Sequence, residues 1–271
     1  TAGSSHNAAL DGDGQVWAWG RNTWSQLGDG STVDKWFPQV VPGLDPAIQI
    51  SAGYDSTYAL LADGTVKAWG LNSSGQLGND STTTSQTPIT VLGLTSIRQI
   101  SGGGTHALAV DESGEVWSWG AGGSGQLGHG DWSNHHTAQK ISGFSNVAQV
   151  AAGYLFSGAI KEDGTVWTWG SNSNSKLGYS SSSVNVPTQV GSIYDAIRLS
   201  LGYNHALVLR GDGTVWSWGR NVGGQLGDGT FTGRNAAVQV TGLSDIVWIE
   251  AGEYHSLALD GSGTLWAWGR N

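Results

Sequence analysis

Trp17-Ala18-Trp19-Gly20 recurs along the chain as Lys67-Ala68-Trp69-Gly70, Trp117-Ser118-Trp119-Gly120, Trp167-Thr168-Trp169-Gly170, Trp216-Ser217-Trp218-Gly219 and Trp266-Ala267-Trp268-Gly269. The interval is fifty residues, with one slip to forty-nine between the fourth and fifth copies. Self-similarity at this period marks stacked supersecondary units, each covering what its neighbour leaves exposed. Trp17 and Trp19 stand two apart, so a strand sends both rings to one face. Two large rings on one face of six equivalent strands call for an apolar surface opposite, and the adjacent unit is the natural supplier. Each ring buries on the order of 150–250 Å², so this row is expected to dominate stability.

Upstream of each copy lies a small-residue pair: Ala2-Gly3, Ala52-Gly53, Gly102-Gly103, Ala152-Gly153, Leu201-Gly202 or Ala251-Gly252. A strand-like run follows, as in His106-Ala107-Leu108-Ala109-Val110 and His255-Ser256-Leu257-Ala258-Leu259. Then comes a turn such as Asp63-Gly64, Asp163-Gly164 or Asp212-Gly213. Asp-Gly between two such runs predicts a hairpin, since Gly accepts the positive φ of these turns.

Downstream, a second signature reads Gln26-Leu27-Gly28, Gln76-Leu77-Gly78, Gln126-Leu127-Gly128, Lys176-Leu177-Gly178 and Gln225-Leu226-Gly227. A variable loop leads to a third strand, as in Phe37-Pro38-Gln39-Val40-Val41 and Pro187-Thr188-Gln189-Val190. Links such as Gly43-Leu44 and Gly143-Phe144 lead to a fourth, Ile48-Gln49-Ile50 or Val147-Ala148-Gln149-Val150. Four short strands per fifty residues is the arithmetic of a propeller blade. The expected fold is therefore an all-β propeller spanning residues 1–271 as one domain, with repeats starting near 2, 52, 102, 152, 201 and 251. Six copies of the hairpin accompany five of the loop half, which predicts six blades with an incomplete seam; the alternative is part of a seven-bladed or longer array.

The ordered set Ala-Gly-x-x-His, apolar strand, Asp-Gly turn, Trp-x-Trp-Gly, Asn-x-x-Gly-Gln-Leu-Gly and closing Val/Ile strand resembles the repeat of the regulator of chromosome condensation family along the whole chain. The resemblance implies four-stranded blades around an axis, usually seven of them. It implies no single function, since such proteins include an exchange factor for a small GTPase, a plant ultraviolet-B photoreceptor, β-lactamase inhibitory proteins and bacterial secreted proteins. The Gly-Trp-Arg-His-Thr motif of the photoreceptor is absent.

Composition narrows the function. The chain carries a net charge of −9, and its twelve Lys and Arg are scattered singly. Nucleic-acid binding needs a basic stripe, so no nucleic-acid partner is expected. No apolar run approaches the ~18–20 residues of a membrane span. At this length roughly three quarters of the unfolded surface is buried on folding, so no disulfide is needed, and none is possible without Cys. The lack of Met, including at position 1, predicts a mature or excised piece of a longer precursor. Dense Ser, Thr, Gly and Asn with few charges fits an extracellular or cell-surface protein.

Zigzag strand order puts the Ala-Gly turn and the loop after Gln-Leu-Gly at one end of every blade, the Asp-Gly turn and Gly-Leu link at the other. Binding residues concentrate on loops presented by a rigid frame, so the variable end is the candidate face. Its large residues are Trp24, Trp36, Tyr54, Trp132, Tyr154, Phe156, Tyr203, Phe231 and Tyr254, the kind of anchors protein interfaces enrich. The competing reading makes each Tyr a structural plug near the axis.

His6, His106, His205 and His255 share one slot, filled elsewhere by Ser56 and Phe156. Such a His beside a turn is expected to hydrogen-bond its own backbone rather than do chemistry. The loop from His129 to His136 holds three His and Asp131, which are metal-ligand types without metal-site spacing. Asp11 and Asp13 open like a calcium loop but lack its closing glutamate, and turn chemistry explains them better. No nucleophile elbow, paired acid and base or phosphate-binding loop is found, so no catalysis and no cofactor are expected.

The leading expectation is a non-catalytic module gripping a protein partner. A carbohydrate-binding module is second, since exposed Trp and Tyr stack on sugars. Self-assembly as a homo-oligomer or filament through open blade edges is third. An exchange-factor-like regulator rests on the resemblance alone.

Overall fold

The computed structural model describes residues 1–191 and 193–270. Among them, twenty-two short strands form six antiparallel sheets. They divide between two compact units, Thr1–Gly123 with Asp131–Ser145 and Ser124–Gly130 with Asn146–Asn271.

In the first unit, β1 (His6–Leu10), β2 (Val16–Gly20) and β3 (Lys35–Val40) make a three-stranded sheet. A four-stranded sheet follows, of β4 (Ala47–Ala52), β5 (Ser56–Leu61), β6 (Val66–Gly70) and β7 (Ser85–Thr90). The third consists of β8 (Ile97–Gly102), β9 (His106–Asp111), β10 (Val116–Gly120) and β11 (His135–Lys140).

The second unit repeats the pattern with β12 (Val147–Ala152), β13 (Phe156–Lys161), β14 (Val166–Gly170) and β15 (Val184–Gln189). Next come β16 (Ala196–Leu201), β17 (His205–Arg210), β18 (Val215–Gly219) and β19 (Arg234–Gln239). The last sheet is β20 (Ile246–Ala251), β21 (His255–Asp260) and β22 (Leu265–Gly269).

The sheets are offset from the sequence repeat by one strand. The strand that closes each fifty-residue unit pairs with the hairpin of the next, as β4 does with β5 from Ile50↔Ala59 to Ala52↔Thr57. Consecutive sheets are tied by side chains of these leading strands. The Gln49 amide spans to β8, donating to the Ile100 carbonyl at 3.0 Å and accepting from its N–H at 2.9 Å. Gln149 repeats this pair on Leu199. One amide thus satisfies a donor and an acceptor on a strand edge that would otherwise be left unpaired.

The two Trp positions of the motif do different work, although strand alternation alone assigns them one role. The second ring is the wedge: Trp69, Trp119, Trp169 and Trp218 are fully buried. Trp119 on β10 clusters with Val66, Ala68, Leu77 and Val91 of the preceding sheet and loop, as the expectation of a neighbouring apolar surface requires. The first ring is a half-buried pin. Its indole N–H donates to the Asp-Gly turn at the far end of the hairpin, Trp17 to Asp11 at 2.9 Å and Trp117 to Asp111 at 3.0 Å. Trp167 and Trp216 use the hydroxyls of Thr165 and Thr214 instead. Asp111 also accepts the N–H groups of Ser113 and Glu115, so one carboxylate organises the whole turn.

This division sets an expected contrast. Trp119→Phe removes a buried donor and leaves a void, costing roughly 2–3 kcal/mol. Trp117→Phe trims a half-exposed ring and costs under about 1 kcal/mol. Urea unfolding midpoints of the two variants check it; equal losses refute the division of roles.

Candidate functional site

The residue after each Trp-x-Trp-Gly donates its N–H to the turn entering the hairpin. Arg21 donates to Ser5, Leu71 to Asp55, Ser171 to Leu155, Arg220 to Asn204 and Arg270 to Tyr254, all at 2.8–2.9 Å. The two connections therefore share one end of each sheet, as the zigzag order predicts.

The long loop is braced at its base by one asparagine. Asn22 Oδ1 accepts the Leu27 N–H at 3.0 Å, while its amide donates to Asp29 and to the carbonyls of Ser31 and Val33. Asn72, Asn172 and Asn221 repeat the arrangement. The third repeat has Gly122 there and lacks the brace, but it keeps a second fastening seen in the first repeat: Asn134 accepts the Gly122 N–H at 3.0 Å as Asp34 accepts the Asn22 N–H at 2.8 Å. The variable residues thus hang from a fixed frame.

Of the predicted face residues, Trp24, Trp36, Trp132 and Phe231 are exposed, Trp36 most at 84% and Phe231 at 73%. Trp36 lies on β3 beside exposed Phe37 rather than in the loop, at the loop-proximal start of the strand. Tyr54, Tyr154, Tyr203 and Tyr254 are half-buried. In the second unit Tyr154 stacks on Tyr203 with centroids 4.0 Å apart, and Tyr203 lies 6.0 Å from Tyr254. Phe156 must be withdrawn from the face. It is fully buried in a cluster with Ile160, Leu177 and Leu201, because it occupies the slot that holds His elsewhere.

That slot also corrects the expected histidine bonding. His6 Nε2 meets the Thr57 hydroxyl of the next sheet at 2.9 Å, and that hydroxyl donates to the Gln26 carbonyl at 2.8 Å. Since the hydroxyl proton is committed, His6 carries its proton on Nε2. His205 makes the same relay through Ser256 to Gln225. Burial lowers His6 and His205 to about 4, so both rings stay neutral near pH 7 and serve as ties between sheets. In the His129–His136 loop, His135 pairs with Asp131 at 3.2 Å and His136 lies against Gly75 of the preceding repeat.

Two features escaped the list of candidates although the sequence carries them. Arg21, Arg220 and Arg270 follow Trp-x-Trp-Gly in three repeats, where the others have Leu71, Ala121 and Ser171. Lys176 replaces the Gln of Gln-Leu-Gly, and the residue is only 1% exposed. Elsewhere that Gln Oε1 accepts the N–H two residues before it, as Gln76 does from Ser74 at 2.8 Å. Lys176 cannot accept; its Nζ reaches Asn204 Oδ1 at 3.3 Å and lies 5.2 Å from the Phe156 ring centroid.

Two stability changes are expected from this turn. Burial lowers Lys176 to about 8, below its unfolded value of 10.5, so the folded state binds fewer protons between those values and wild-type stability rises with pH across that window. Lys176→Gln therefore stabilises by roughly 2–3 kcal/mol at pH 7, an advantage that shrinks as pH rises past 8. Urea midpoints at neutral and alkaline pH measure it, and a gap that stays constant refutes the assignment. In the first repeat Ser25 holds φ 61° with a buried, unbonded hydroxyl, where Gly75, Gly125 and Gly224 take the same conformation freely. Ser25→Gly is expected to stabilise by about 1 kcal/mol in thermal melts.

No curated protein matches the chain. Among solved structures, yeast RCC1 (Prp20) bound to Kap60 superposes with a TM-score of 0.88 at 25% identity, covering 99% of this chain and 69% of the other. Prp20p from Saccharomyces cerevisiae, in a study that also addresses its binding to Gsp1p and histones, gives 0.88 at 26% identity, covering 99% and 70%. Human WBSCR16 is similar in fold, with a TM-score of 0.85 at 23% identity over 95% of this chain and 70% of that one. The sequence matches the RCC1-like domain over residues 1–271, and with the six sheets described above the chain belongs to that β-propeller family.

Proposed function

We propose that this chain is a non-catalytic protein-binding module that works outside the cell or at its surface. The observation that carries the reading is the set of exposed aromatic side chains Trp24, Trp36 and Trp132 at the loop end of the first unit's sheets. Large rings with only two side-chain torsions lose little conformational entropy on contact, which is what interface anchors need. The carboxylates of the turns are consumed in hydrogen bonds and the His6 and His205 rings are buried and neutral, so these groups serve structure. A family relative, yeast Prp20, has been captured with the protein Kap60, which supports a protein as the class of partner. The low charge and the wealth of Ser, Thr, Gly and Asn support an extracellular setting.

The test is affinity capture from the host's culture supernatant and surface extract with wild type and a Trp36→Ala/Trp132→Ala variant. Both residues are exposed, so the variant is expected to melt like wild type. Loss of at least about tenfold in recovery of a specific protein supports the reading, as expected for anchor residues. Equal recovery by both proteins overturns it.

A further inference from the structure

We propose that the loop end of the second unit, where Tyr154, Tyr203 and Tyr254 run together beside Arg220 and Arg270, docks an acidic peptide segment of a protein partner. The proposal rests on the protein-binding reading above and names the chemistry of one partner segment.

The three tyrosines come from consecutive hairpin-entry turns and stay half-exposed. The Arg220 guanidinium lies 5.9 Å from the Tyr254 ring centroid and that of Arg270 lies 5.8 Å from it. Among the described residues neither arginine pairs with a carboxylate. By contrast Lys35, Lys140, Arg198, Arg210 and Arg234 each meet one. On a chain of net charge −9, two unneutralised guanidinium groups on one ring invert the local charge.

A third cation belongs to the same turns. The fully buried Lys176 ammonium contacts Asn204, the residue after Tyr203. The matching contact in the first unit runs from Gln26 Nε2 to Asp55 Oδ1 at 3.4 Å. The chain therefore places an aspartate opposite the neutral glutamine and a neutral asparagine opposite the lysine. The positive charge is kept without the carboxylate that the same position offers elsewhere.

The stacking geometry selects among anionic ligands. At 4.0 Å and 14° between planes, Tyr154 and Tyr203 each turn a ring face on the other, which closes those faces to a flat ligand. Sugars and nucleobases are held by open ring faces, and nucleic acid is further disfavoured by the net charge. Carboxylates are held by guanidinium donors, which Arg220 and Arg270 supply here. The neighbouring Glu253 carboxylate pushes the Tyr254 phenol above its usual range.

Fluorescence anisotropy with a fluorescein-labelled hexaglutamate peptide, its hexaglutamine counterpart and a single-stranded DNA oligonucleotide tests the proposal. Hexaglutamate is expected to bind at least about tenfold tighter than hexaglutamine at about 50 mM NaCl, and to weaken markedly at about 300 mM. Arg220→Gln/Arg270→Gln is expected to lose about tenfold in hexaglutamate affinity, and Glu253→Gln to gain two- to threefold or so. No binding of hexaglutamate, equal binding of hexaglutamine or of DNA, or an unchanged affinity in the arginine variant overturns the proposal. A Trp36/Trp132-dependent partner captured alongside a silent peptide titration would remove this site and leave the protein-binding reading intact.

Discussion

One hydrogen bond recurs at every junction: the carbonyl of the Gln in Gln-Leu-Gly accepts the indole N–H of the second Trp forty-three residues later. The distances are 3.0 Å for Gln26 and Trp69, and 2.9 Å for Gln76 and Trp119, Gln126 and Trp169, and Gln225 and Trp268. Lys176 serves Trp218 at 2.9 Å, since the backbone carbonyl survives a change of side chain. A buried indole N–H without an acceptor is costly, so the bond fixes where the ring lies as well as that it is buried. The same carbonyl takes a second donor, Thr57 for Gln26, Ser157 for Gln126 and Ser256 for Gln225. The third repeat has Ala107 in that position, and there the Tyr58 hydroxyl reaches the Gln76 carbonyl at 3.0 Å instead. At these four junctions the acceptor is filled twice by whichever hydroxyl is within reach.

The remaining local rules follow from that junction. Gly28 sits at φ 70° directly against the Trp69 indole, and a Cβ there would meet the ring at 2.7 Å. Leucine, glutamine and glycine in sequence are therefore one device: leucine enters the core, the glutamine carbonyl takes the indole, and glycine clears the ring. With that device anchored and the asparagine brace beside it, the loop between Gln-Leu-Gly and the next strand is free to vary in sequence. Rigidity of the junction and diversity of the loop are two sides of the same arrangement.

Much of this was legible in the sequence because period and turn chemistry are local. The Asp-Gly hairpins, the four strands per repeat and the common end of the two connections all follow from spacing. The offset between repeat and sheet was not legible, because it depends on which hairpin β4 bonds to, and two neighbours with identical patterns compete for it. The separate duties of Trp17 and Trp19 were hidden for a related reason. Alternation places both rings on one face but does not say which lies at the junction and which at the turn. Phe156 was misplaced despite a usable signal, since it shares its slot with three buried histidines and slot equivalence predicts burial better than residue type. Trp36 was assigned to the loop because no repeat fixes where β3 begins.

The departures of the fourth repeat are coupled, and the coupling explains why both persist. Phe156 replaces a histidine and Lys176 replaces a glutamine, and the two side chains meet at 5.2 Å. A histidine in that slot donates to a hydroxyl of the next sheet, but there the position equivalent to Thr57 is Ala206, which offers none. A neutral ring with no donor to satisfy fits where the relay has lost its acceptor. Its π face in turn gives the buried ammonium an electrostatic partner. Loss of one hydroxyl thus accounts for the phenylalanine, and the phenylalanine makes the lysine tolerable. What the packing does not require is that Asn204 be neutral: the matching position in the first unit is Asp55, so the fourth repeat keeps its buried charge without the carboxylate that would offset it.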